Sequence, residues 1–99
     1  MNEASFWRLA LAQLIAPHYT DNPKVRVVSL GGSVAQGYAD RYSSIDLAVF
    51  WRAAPTQKER RDLLNRARGR QWQLLPYNRE EGCWLELRKK RLLRMRNRL

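Results

Sequence analysis

Hydrophobic positions in the first quarter of the chain recur with the period of an α-helix. Four apolar residues define the stripe: Trp7, Leu11, Leu14 and Ile15. This spacing predicts an amphipathic helix over residues 5–16, with its apolar face, Trp7 included, in the core. Ser5 can cap the start of this helix, and Pro17 can end it because proline lacks the amide that would continue the hydrogen-bond ladder.

Two runs of β-branched and aromatic residues predict strands, the first of them central in its sheet and the second buried. The first covers residues 25–30 and ends at a pair of glycines. The second covers residues 45–51 and is apolar on both faces after its second residue, as a buried strand requires. Between them, Ser33 can cap a short helix that Gly37 ends.

The second half of the chain begins with a helix signal. Thr56 and Glu59 have the spacing of a capping box, which predicts a helix over residues 57–68. A third strand is predicted over residues 71–75. Beyond Gly82 the apolar positions fit a strand and a helix equally well. This order of elements predicts an α+β (or α/β) fold, a small mixed β-sheet with flanking helices.

The positive charge of the chain is concentrated at its end. The formal net charge is +10, and residues 88–99 hold seven of the 19 Lys and Arg residues and no acid. This shift in composition predicts a domain over residues 1–87 followed by a basic tail over 88–99. The segment Arg88–Arg98 could bind nucleic-acid phosphates, since each neutralised phosphate releases counterions. A solvated, frayed terminus is the alternative.

Length and cysteine content limit the function classes. A chain of 99 residues is sized for one domain. The single cysteine, Cys83, allows no internal disulfide and no cysteine-based metal cluster. The apolar segment near the N-terminus is too short to span a membrane. We therefore expect no membrane partner and a cytoplasmic location.

The turn after the first strand has the composition of a phosphate site. In Gly31-Gly32-Ser33, the glycines let backbone amides approach a ligand closely, and a helix that begins at Ser33 aims its free N–H groups at the same point. The same residues also suit an ordinary strand-to-helix turn. Residues 44 and 46 point to one face of the second strand, where carboxylates could hold Mg²⁺ beside bound phosphates.

The segment LGGSVAQGYADRYSSIDLAVFW, residues 30–51, resembles the signature of the polymerase-beta-like nucleotidyltransferase superfamily. It is most similar to the minimal and antibiotic nucleotidyltransferases. The resemblance implies a nucleotidyltransferase-like core and Mg²⁺-dependent (or Mn²⁺-dependent) transfer of a nucleoside monophosphate from a nucleoside triphosphate to an acceptor hydroxyl. It also implies that Gly31, Gly32 and Ser33 hold the phosphates and that Asp46 is the catalytic, metal-binding acid.

The chain departs from the family pattern at two acids. Ser44 stands where the first metal-binding acid belongs, and it can contact a metal only through an uncharged hydroxyl. The third acid of the family has one candidate, Glu86, for which a solvated strand position is the alternative. These departures suggest a degenerate or truncated member, incomplete at the C-terminus, for which both transfer of the nucleoside monophosphate and loss of that activity remain open. Two other functions remain open: a noncatalytic, antitoxin-like module that binds a partner protein, and a basic nucleic-acid-binding protein.

Overall fold

The computed structural model of the chain describes residues 2–31, 37, 45–66, 72–88 and 93–99. Two helices and five strands lie within these residues. In chain order they are α1 (Glu3–Thr20), β1 (Val25–Gly31), β2 (Ile45–Trp51), α2 (Gln57–Arg66), β3 (Trp72–Asn78), β4 (Cys83–Arg88) and β5 (Leu93–Arg98). No helix in these described ranges is long and apolar enough to cross a membrane.

The five strands form one mixed sheet in the order β1-β2-β5-β4-β3, so β1 is an edge strand and the central position predicted for it is wrong. Strands β2 and β5 run parallel, and the other neighbouring pairs are antiparallel. The chain between β2 and β5 therefore makes a crossover through α2 and the β3–β4 hairpin. The predicted α+β fold with a small mixed sheet and flanking helices is confirmed.

The two faces of the sheet have different surroundings. Alternate residues of β2 and β5 are buried and join residues of both helices in the hydrophobic core, and we call this side the helix face. The intervening residues are half-buried on the other side, which we call the open face: Asp46, Ala48 and Phe50 from β2, and Arg94, Arg96 and Arg98 from β5. Strand β2 is thus apolar on both sides after Asp46, as predicted, but only one side is fully buried.

Helix α1 is longer than the predicted helix and packs through a different face. Its N-cap is Asn2, whose side chain accepts a hydrogen bond from the Ser5 amide at 2.8 Å. Pro17 lies inside the last turn rather than at the end of the helix. Proline removes one backbone hydrogen bond, but the helix continues because the Pro17 carbonyl still accepts from the Asp21 amide at 3.0 Å. The buried residues are Ser5, Arg8, Ala12, Ile15 and Tyr19.

Two residues of the predicted apolar stripe of α1 are exposed instead. The placement of Trp7 and Leu14 in the core is therefore wrong. Arg8 takes a buried position because its Nη1 atom donates to the Ala4 carbonyl at 3.0 Å and its guanidinium lies 4.2 Å from the centre of the Trp7 ring. With its polar groups satisfied in this way, an arginine can occupy a face that the sequence pattern reserves for apolar residues.

Helix α2 begins as the sequence predicts. The Thr56 amide donates to the Glu59 carboxylate at 3.0 Å, and the Glu59 amide donates to the Thr56 hydroxyl at 3.1 Å, which is a complete capping box. Leu63 and Leu64 are buried against the sheet. The last two residues of the predicted helix, 67 and 68, lie outside the described residues.

The C-terminal residues are part of the sheet. Arg88 ends β4, and residues 93–98, which composition assigned to a basic tail, form β5 between β2 and β4. Leu93 and Met95 are buried on the helix face while the arginines between them point to the open face. This period of two is the geometry of a strand, and it explains how a basic segment can be central to a sheet.

Candidate functional site

The end of β1 meets Asp46 on β2. Gly31, the first residue of the predicted phosphate turn, pairs with Asp46 in the antiparallel register of the two strands. A Cβ atom on Gly31 would lie 3.8 Å from the Asp46 carbonyl oxygen, so space alone does not require glycine there. Gly32, Ser33 and Ser44 lie outside the described residues.

The Asp46 carboxylate forms an ion pair with an arginine of the neighbouring strand. Arg96 Nε lies 3.3 Å from Asp46 Oδ1, and Arg96 Nη1 lies 3.5 Å from Glu81 Oε1. Burial of the Arg96 guanidinium disfavours its charge, but the Asp46 and Glu81 carboxylates outweigh this effect and raise its pKa. Arg96 is therefore a cation at any pH at which the protein folds.

A second arginine lies beside the same carboxylate. Arg94 is the register partner of Asp46 across the parallel pair β2–β5, so both side chains point to the open face. The Nε atom of Arg94 is buried and has no hydrogen-bond partner among the described residues. Together with Arg98, these arginines form a row with a spacing of about 6.6 Å along β5.

This arrangement does not fit the magnesium or manganese site that the family resemblance implies. A two-metal site needs carboxylate oxygens that are available to the metals, whereas the Asp46 and Glu81 carboxylates both pair with Arg96. Among the described residues, no group of three His, Cys, Asp or Glu residues could hold a metal ion. The arginines already supply the positive charge that a metal would bring.

Glu86 is neither the third metal ligand nor a solvated residue. It pairs with Met95, one position along β5 from the partner of Asp46, so Glu86 and Asp46 point to opposite faces of the sheet. The Glu86 side chain is 0% exposed, and its Oε2 atom accepts from Arg60 Nε at 2.6 Å. Both expectations for Glu86 are therefore wrong.

Glu86 belongs to a buried polar network on the helix face. The other two nitrogen groups of Arg60 donate to the carbonyls of Leu75 and Leu85, each at 3.2 Å. Nearby, Asn97 accepts from the Trp51 indole at 2.9 Å. Burial raises the pKa of Glu86, although the hydrogen bond from Arg60 opposes this effect. The Arg60 contacts join α2 to β3 and β4, and the Asn97 contacts join β5 to β2 and β4.

Tyr19 adds a further polar group to the same region. Burial, and secondly the charge of Glu86, raise the pKa of its hydroxyl, so Tyr19 is neutral. One sequence signal could have located the network: Arg60 precedes Leu63 and Leu64 by three and four residues, which places it on the apolar stripe of α2. A buried charge is usually paired with an opposite one, so an arginine on this stripe indicates that a buried acid lies nearby.

No known protein family, no characterised protein and no solved structure gives a significant match to this chain. The resemblance to nucleotidyltransferases therefore depends on the motif in residues 30–51. The functional argument depends on that motif and on the geometry around Asp46.

Proposed function

We propose that this domain binds the phosphates of a nucleoside triphosphate on the open face, beside the end of β1, and does not transfer a nucleoside monophosphate. Two features support this function. The turn that starts at Gly31 has the Gly-Gly-Ser composition of the nucleotidyltransferase signature. Arg94 and Arg96 lie on the strand next to Asp46, within reach of a ligand held by that turn.

The observation that carries the proposal is the pair of arginines beside Asp46. A buried guanidinium nitrogen without an acceptor costs roughly 1–3 kcal/mol, and phosphate oxygens would supply the acceptor that Arg94 Nε lacks. Hydrogen bonds between guanidinium and phosphate are charge-assisted and roughly twice as strong as neutral ones. Arg94 and Arg96 would therefore take the place of the metal in neutralising a polyphosphate.

Asp46 has a different role in this proposal from the one that the family motif implies. Its carboxylate is the counter-ion of Arg96 and limits the repulsion between neighbouring arginines. With Ser44 in place of the first acid, the strand lacks the charges that would position two metals, so we expect no transfer activity. A cytoplasmic location, where nucleoside triphosphates are available, belongs to the same proposal.

Titration calorimetry with ATP in the presence of EDTA tests this function. The wild-type chain should bind ATP without a divalent metal, and Arg94→Gln should weaken binding at least tenfold, which corresponds to about 1.4 kcal/mol. The matched control is Arg61→Gln, which removes the same charge from an exposed position on α2 and should leave the affinity unchanged within twofold. Absence of binding at millimolar ATP, or an equal loss in the control, would contradict the proposal.

The arginine row also supports nucleic-acid binding as a second candidate. A polynucleotide would contact the whole row, whereas a triphosphate held at the end of β1 would contact Arg94 and Arg96. Arg98 lies four residues along β5 from Arg94, opposite Phe50. In the same titration, Arg98→Gln should spare ATP binding. A loss of oligonucleotide affinity in Arg98→Gln, with no ATP binding by the wild type, would favour the second candidate.

A further inference from the structure

Helix α1 is apolar on the side that faces away from the sheet. Phe6 is 67% exposed, Leu14 is 71% exposed and Trp7 is 44% exposed. Ala10 and Pro17 are also exposed on this side. A surface helix normally carries polar residues opposite its core-facing stripe, so a second apolar stripe indicates a surface that another molecule covers.

The outer stripe follows one line along the helix. Steps of three or four residues connect its members: Glu3, Phe6, Ala10, Leu14 and Pro17. Residues at this spacing share one face of an α-helix. Ala10 is at the centre of the stripe, with a large apolar residue one turn away on each side and an acid at the N-terminal end.

The charge distribution restricts what can cover this stripe. The chain has a formal net charge of +10, yet the exposed ionisable residues of α1 are Glu3 and His18, because Arg8 is only 2% exposed. Among the described residues of α1, a polyanion would find no lysine and no exposed arginine. Two copies of a strongly basic chain, in contrast, meet less local repulsion here than at a surface that carries arginines or lysines.

The stripe is complementary to itself when two helices run antiparallel. With the two-fold axis at Ala10, Phe6 lies opposite Leu14 of the partner subunit, and this apolar contact occurs twice. Glu3 then lies opposite Pro17 of the partner subunit and next to His18 of the partner subunit. The small side chain of Ala10 permits an interaxial distance near the lower end of the usual 8–10 Å, and the antiparallel helix dipoles attract each other.

We propose that two copies of this chain form a two-fold dimer through an antiparallel contact between their α1 helices, centred on Ala10. Such an isologous interface uses the same patch on both subunits. Phe6 and Trp7 supply large apolar groups of the kind that dominate binding energy at interfaces. The proposal is independent of the nucleotide site, because α1 packs on the helix face of the sheet.

Sedimentation equilibrium of the full chain tests the dimer. The apparent mass should rise from 11.7 kDa towards twice that value as the protein concentration increases. Ala10→Arg should raise the dissociation constant at least tenfold, because it places two like charges at the two-fold axis. The control variant Asn65→Arg adds the same charge at an exposed position of α2 and should leave the dissociation constant of the dimer unchanged. Circular dichroism of both variants confirms that each remains folded.

Cross-linking tests the position of the axis. A disulfide requires Cα atoms within about 7 Å, so Ala10→Cys should form a linked dimer under mild oxidation, whereas Thr20→Cys should not. The native Cys83 is buried and does not compete. A monomer at every concentration, no effect of Ala10→Arg, or equal cross-linking of both variants would overturn the proposal. So would a monomer whose tryptophan fluorescence shifts with phosphatidylcholine vesicles, which would assign the stripe to a lipid surface.

Discussion

At the scale of single residues, Asp46 and Glu86 show how neighbouring strands give two acids different surroundings. Asp46 faces the partly exposed open face and shares Arg96 with Glu81. Glu86 is fully buried: its Oε2 atom contacts Arg60, and its Oε1 atom has no hydrogen-bond partner among the described residues. The ion pair of Asp46 is therefore partly open to solvent, whereas Glu86 stabilises the packing of α2 on the sheet.

Replacement of Arg60 should destabilise the fold strongly. Arg60→Met leaves the buried Glu86 carboxylate and two backbone carbonyls without their donor, and loss of one partner of a buried ion pair costs about 3–5 kcal/mol. Urea denaturation measures the loss. Arg61→Met, at the exposed neighbouring position, should change the free energy of unfolding by less than about 0.5 kcal/mol.

The effect of Arg60→Met should depend on pH. The pKa of Glu86 is already raised in the fold, and removal of Arg60 raises it further, so the folded variant binds a proton that the unfolded chain releases. Stability of the variant therefore falls as pH rises through the interval between the unfolded and folded pKa values. The difference in free energy of unfolding between Arg60→Met and the wild type should be smaller at pH 5 than at pH 7. An equal difference at the two pH values would show that Glu86 stays ionised in the variant.

At the scale of elements, local signals were predictable from the sequence and tertiary ones were not. The capping box of α2 and the bounds of β2 depend on residues close together in the chain, and both are confirmed. The buried face of α1 depends on what packs against it. Because both faces of that helix carry apolar residues, periodicity could not distinguish the core from the outer stripe.

The capping box provides a test at this scale. Thr56→Ala removes the acceptor of the Glu59 amide and should lower the free energy of unfolding by about 1 kcal/mol. The matched control, Thr20→Ala, removes a hydroxyl at the other end of a helix, where the 3.4 Å contact to the Pro17 carbonyl is weak and exposed. Thermal denaturation at pH 7 should show a larger loss of stability for Thr56→Ala than for Thr20→Ala. Equal losses in the two variants would contradict the stabilising role of the capping box.

Acid should remove part of the stability that the Glu59 carboxylate contributes at the start of α2. The pKa of Glu59 is lowered by hydrogen bonds from the Lys24 side chain and the Thr56 amide, and its ion pair with Lys24 is 2.8 Å long. A lowered pKa means that the stabilisation is present above the ordinary carboxyl pKa and is lost as pH falls through the folded value. Glu59→Gln should therefore have a lower free energy of unfolding than the wild type at pH 7, and the two values should converge in strong acid.

At the scale of the whole molecule, the chain crossover brings the basic C-terminal segment to the candidate site. Arg94 and Arg96 are almost fifty residues from Asp46 in the sequence, and the parallel pairing of β2 with β5 makes them its neighbours. Composition alone assigned this segment to a tail, because a run of arginines is hydrophilic in any local window. The alternation of Leu93 and Met95 with arginines is the sequence pattern that could have predicted a strand here.

The sequence therefore predicted part of the candidate site. Gly31 and Asp46 were identified from the motif, and the structure brings them together as register partners. The arginines on β5 were missed because strand pairing between distant segments has no local signature. Their presence changes the expected chemistry, since an acid that neutralises a guanidinium cannot also contribute its full charge to a metal.

The ATP affinity of Asp46→Asn, measured in EDTA beside the wild type, tests this account most directly. If Asp46 is the counter-ion of Arg96, its neutralisation frees a cation for phosphate, while Glu81 remains beside the guanidinium. We predict that Asp46→Asn binds ATP at least as tightly as the wild type. A tenfold or greater loss of affinity would show that the carboxylate itself is needed for nucleotide binding and would contradict the account.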